Sequence, residues 1–142
     1  MKADKVILPG ITGTSLMTAF SYAVSAYKER NFKEPELLAA LLKEGLQNDR
    51  AALAAGWMTH YTMGICWALL FELLFKKAAV KANFTNALVL GTMSGLTGIW
   101  IWRFAFKIHR TPPRIDFNQF YWHLLLAHVV YSLGVTAASK DK

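Results

Sequence analysis

With 142 residues, of which 54% are hydrophobic and 13% aromatic, the chain holds more apolar material than a water-soluble domain of its size can hide. The net charge of +7 would ordinarily raise nucleic acid as a partner, but the bases flank long apolar runs and form no basic-aromatic face, so RNA and DNA are set aside. A single cysteine, Cys66, excludes an intrachain disulfide and a thiolate metal cluster, and its place within an apolar run reads as a small packing residue.

The first apolar run covers about 6–27, between Lys5 and Lys28. Its start resembles a signal peptide, with Lys2 and Lys5 before the run and Ala23-Val24-Ser25 late in it. The run is nevertheless long enough to cross ~30 Å of hydrocarbon, and it reads as a retained helix. Next comes the long connection, residues 28–50, with a short amphipathic helix at about 35–45. Pro35 suits a first turn, Glu34 and Glu36 complement the helix dipole, and Gly45 suits the end. Leu37-Leu38 and Leu41-Leu42 share one face, so the helix is expected in the interface or over the bundle mouth, with partner binding as the alternative.

Further spans are expected at about 51–75, 84–102 and 117–139. Asn83 is placed to cap the third, and Asp116 with Gln119 has capping-box spacing at the fourth. Pro112-Pro113 separates the two helices. Tyr22, Tyr27, Trp57, Trp100, Trp102, Tyr121 and Trp122 lie near span ends, as in an interfacial aromatic belt. The 16 Lys and Arg divide almost evenly between the two sides, so the positive-inside rule sets no orientation. The expected fold is all-α: one transmembrane domain over 1–142, an integral membrane four-helix bundle with an interfacial helix after the first span.

Lipid removes the hydrophobic drive between helices, so small residues must let them approach. Gly91, Ser94, Gly95 and Gly98 form such a stripe in the third span, and Gly56 and Gly64 bracket His60 in the second. These stripes fit a compact bundle, or contact with a second copy or a larger membrane complex.

Three histidines fall inside spans, where polar groups are costly and signal function. At about 100° per residue, His60 shares its face with Gly56, Gly64, Trp67 and Phe71, and His123 shares its face with Gln119, Ala127, Val130 and Gly134. Both are expected to point inward at similar depth, ~6–8 Å from the midplane. Ser21 and Tyr61 belong near that depth, and Arg103 and Gln119 nearer the boundary. His128 lies about 140° from His123, with Tyr121 and Ser132. The expected ligand-binding set is thus His60, Tyr61, His123, Gln119, His128, Arg103 and Ser21. It would hold a small polar ligand or a proton, or else brace the bundle through hydrogen bonds between helices. Heme is a further option, because a like-depth histidine pair suits two axial ligands, although no carboxylate stands by to orient the rings. Glu72 lies one turn before Lys76, which accounts for it as a boundary ion pair. No GxSxG, HExxH, phosphate-loop or GxGxxG pattern occurs, so no catalytic residue is assigned.

Three short motifs carry a resemblance: Gly13-Thr14-Ser15-Leu16-Met17-Thr18, Gly56-Trp57-Met58-Thr59-His60-Tyr61, and His109 to Phe117 with Ala127-His128. Through them the chain resembles small multi-span bacterial inner-membrane proteins whose activities are uncharacterised. That resemblance implies the same location, with membrane lipid as neighbour, and no activity.

Overall fold

The computed structural model describes residues 3–78 and 80–139. Lys2, Lys140 and Lys142, which enter the charge balance above, lie outside them. Five helices follow in order: α1 (Asp4–Lys28), α2 (Glu34–Leu46), α3 (Asp49–Lys77), α4 (Phe84–Ile108) and α5 (Phe117–Ser139). All but α2 are long and apolar enough to cross a membrane.

The caps follow local chemistry. Asn83 accepts from the Asn86 amide at 2.9 Å, Asn48 accepts from Arg50 and Ala51, and Asp116 accepts from Gln119 at 3.1 Å. Two boundaries differ from expectation. α4 runs on to Ile108, because Arg103 to Ile108 contains nothing that breaks a helix and the chain turns only before Pro112-Pro113. α2 passes through Gly45 and ends at Leu46, with Gln47 taking the left-handed cap position at φ 52°.

α1 is the central helix, with α3 on one side and α5 on the other; α4 packs on α5, and α2 packs on α3. α3 and α4 scarcely meet, so the four long helices form an open row with a cleft and not a closed ring. The glycines explain the close pairs. A Cβ on Gly91 would stand 2.7 Å from the Val129 Cα, and one on Gly98 would stand 2.8 Å from the His128 ring, so this stripe seats α5. A Cβ on Gly64 would run into the Thr14 hydroxyl, which joins α3 to α1, and one on Gly56 would run into the Pro35 carbonyl, which joins α3 to α2. Glu72 and Lys76 form the expected pair at 2.9 Å.

Two packing expectations are corrected. Cys66 is exposed on the outer face of α3, because the glycine face of that helix lies elsewhere. Trp102 packs at 5.2 Å against both Phe106 and Phe120, so it belongs to the core between α4 and α5, whereas Tyr27, Trp100 and Trp122 are exposed.

Gly56→Leu should lower stability by about 1–3 kcal/mol, because α2 must move off α3. Gly45→Ala faces open space and should be neutral or stabilise by up to about 1 kcal/mol. Thermal unfolding of the detergent-solubilised variants checks the contrast.

Candidate functional site

The sequence of α1 builds one wall. Gly10, Thr14, Thr18, Ser21 and Ser25 recur at intervals of three or four and are all buried, so a small-polar stripe runs along the central helix. Thr14 donates to the Gly10 carbonyl and Thr18 to the Thr14 carbonyl, both at 2.7 Å, the usual way a hydroxyl is satisfied within a helix. Two neighbouring helices read this stripe. His60 of α3 lies 2.9 Å from Thr18 Oγ1, and His123 of α5 lies 2.9 Å from Ser21 Oγ.

The group that organises the site is Glu34, the first residue of α2. Its side chain is only 1% exposed, and its Oε1 accepts from Ser21 at 2.8 Å. His123 Nε2 stands 3.7 Å from the same oxygen. Ser21 has one proton and directs it to the carboxylate, so His123 must donate to Ser21. A directed chain results: His123 Nε2–H to Ser21 Oγ, and Ser21 Oγ–H to Glu34. Phe20 and Phe32 stack on the two faces of the His123 ring, at 5.4 and 4.9 Å between centroids. The ring is therefore held in orientation and closed off. The N-terminal end of α2, where backbone N–H groups lack helical partners, favours the negative charge of Glu34.

Glu34 Oε2 has no hydrogen-bond partner among the described residues. Glu34 is one of the residues lining a cavity of about 110 Å³ in the cleft between α3 and α4. Thr14 and Met17 of α1, Leu38 and Leu41 of α2, His60 and Trp67 of α3, Trp102 of α4, and His128 and Tyr131 of α5 contribute to the same wall. Met63 of α3 and Ile101 of α4 line it too and are themselves 41% and 45% exposed, so the cleft opens outward between these two helices. α2 closes its end. The closure is fastened from the connection after α4, where His109 Nε2 donates to the Leu41 carbonyl at 2.9 Å and Thr111 hydrogen-bonds Glu44.

The expected residues divide. His60, His123 and Ser21 are buried and joined to the α1 stripe. His128, expected on a separate face from His123, is also buried; that face meets α4, and the ring lies in the notch over Gly98 beside the cavity. Gln119 was expected inward and is exposed, although Phe120 beside it is buried. Arg103 is exposed as well, with its guanidinium 5.8 Å from the Tyr121 ring centroid. Tyr61 bonds Ser15 at 2.9 Å on the outer seam between α1 and α3. For heme, the observed contacts occupy Nε2 of both expected axial histidines, and the His123 ring is stacked on both faces. Among the described residues no group of three His, Cys, Asp or Glu is placed to hold a metal ion.

Glu34 is the residue sequence reasoning missed, having taken it only as a complement to the helix dipole. One signal was present. Glu34, Leu37, Leu38 and Leu41 stand at i, i+3, i+4 and i+7, which puts a carboxylate on the apolar stripe of α2.

No family model matches the sequence, and neither a curated protein nor a solved structure matches it.

Ser21→Ala should cost about 1–3 kcal/mol of stability, because it strands both Glu34 and His123 in a buried site. Ser15→Ala, on the exposed seam, should stay within about 0.5 kcal/mol. Denaturant titration of the two variants tests the difference.

Proposed function

We propose that this is an integral membrane protein, of the bacterial inner membrane as its resemblance implies, that binds a small amphipathic molecule in the cleft between α3 and α4. The long helices span the bilayer in this reading, and α2 lies at the interface as the end wall of the cleft. The supporting observation is the Glu34 Oε2 atom, a fully buried carboxylate oxygen without a hydrogen-bond partner among the described residues, in a residue that lines a cavity. Leaving such a group unsatisfied is expensive, and a ligand donor removes the cost. The remaining wall is mostly apolar, as small-molecule sites usually are: a few polar groups set orientation while the apolar surface holds the body. The outward opening between Met63 and Ile101 supplies an entry path from lipid.

A role as an assembly subunit docking through its glycine faces draws less support. Gly56, Gly64, Gly91, Gly95 and Gly98 all face other helices of the same chain, so these stripes are already occupied.

Native mass spectrometry of protein extracted in mild detergent tests the reading. Wild type should retain a discrete small-molecule adduct. Leu41→Trp, which fills the cavity, should lose it, and Leu53→Trp, on the exposed face of α3, should keep it. A wild type without an adduct, or an adduct that survives Leu41→Trp, defeats the proposal.

A further inference from the structure

The hydrogen atoms on the cavity wall can be placed by elimination, and they tell what kind of ligand the wall accepts. Thr14 directs its hydroxyl proton to the Gly10 carbonyl. Tyr131 directs its phenolic proton to the Gly64 carbonyl. His128 Nδ1 faces the Leu124 carbonyl at 2.9 Å; a carbonyl only accepts, so Nδ1 carries the proton and Nε2 of the neutral ring is left with its lone pair. Thr18 has already given its proton to Thr14, so His60 Nε2 must donate to Thr18, and His60 Nδ1 is the accepting nitrogen of the neutral ring. Glu34 as carboxylate has no proton, and its Oε2 is unmatched.

Every one of the five polar side chains on this wall therefore offers an acceptor and has no donor left. The two indoles, Trp67 and Trp102, carry one N–H each and otherwise present ring surface. Among the described residues no Lys or Arg lines the cavity, and Glu34 is its one acidic residue.

Resting on the ligand-binding reading above, we propose that the ligand carries a primary ammonium group on a short apolar body. An ammonium has three donors and no acceptor, which complements Glu34 Oε2, His128 Nε2 and His60 Nδ1. A hydroxyl offers one donor and leaves two of these acceptors unmatched, and a carboxylate would be repelled by Glu34. Buried charges are tolerated when paired, and the cation and Glu34 pair each other. The Trp67 ring on the same wall can face a cation as well. In size, a cavity of about 110 Å³ is somewhat smaller than the roughly 150 Å³ space that admits benzene, so the apolar body is limited to about six heavy atoms.

Isothermal titration of the full chain in lipid nanodiscs with hexylammonium, hexanol and hexanoate tests the ligand class. Hexylammonium should bind at least about tenfold tighter than hexanol, with hexanoate weakest. Glu34→Gln should abolish the preference for hexylammonium over hexanol while thermal unfolding shows the variant folded, and Leu53→Trp, outside the cavity, should keep the preference. Hexanol or hexanoate binding as well as hexylammonium would overturn the ammonium assignment and leave the cavity reading intact. Hexylammonium binding undiminished in Glu34→Gln would do the same. If none of the three probes binds wild type, the assignment fails; a native extract that also lacks an adduct then overturns the binding reading with it.

Discussion

A carboxylate that must be satisfied away from water organises this molecule. Glu34 begins a short helix, yet it is buried among three others, and Ser21 is what makes that tolerable. One hydroxyl touches both the carboxylate and His123, so α1, α2 and α5 meet at a single atom. Removing a buried ion's partner costs far more than the net contribution of the pair, which is why such a node constrains every helix that reaches it. The stacking of Phe20 and Phe32 on the imidazole then fixes the ring plane and excludes water from the node.

Close helix approach makes the node possible. α1 presents glycine, serine and threonine toward both neighbours, and hydroxyls bonded back to their own helix add no bulk beyond a methyl-sized group. α3 and α5 can thus come near enough for His60 and His123 to reach Thr18 and Ser21. The same small-residue logic, at Gly91 and Gly98, draws α4 onto α5. Because each close contact uses a different glycine face, α3 and α4 have none left for each other, and a cleft remains between them.

The segment after α4 gives that cleft an end. His109 and Thr111 reach α2 from a stretch that cannot continue as helix because of Pro112-Pro113. Arg30 approaches Asp116 at 3.8 Å nearby, a weak exposed pair that adds little energy but follows the same path. α2 is therefore held between α3 and the α4–α5 connection. His109, Thr111 and Asp116 thus have a local mechanical role in the fold.

How far the sequence could be read depends on whether a property is local or lies between helices. Run length and the periodicity of apolar residues are local, and so are Asn83 and Asp116 as caps; the helices, their approximate ends and the inward faces of His60 and His123 were legible from them. Burial of Gln119 was misjudged because sharing a helical face with His123 does not ensure that a neighbouring element covers both residues. His128 was separated from the other histidines for a similar reason, since an angle between side chains cannot reveal that both faces of α5 are covered. By itself, then, the sequence determined four long apolar helices, a short amphipathic one and the presence of imidazoles within them, since each follows from chemistry inside one segment. Only the tertiary structure decided that Glu34 joins the site, that α3 and α4 stay apart, and what His60 and His123 bond to, because each of these depends on a partner in another helix.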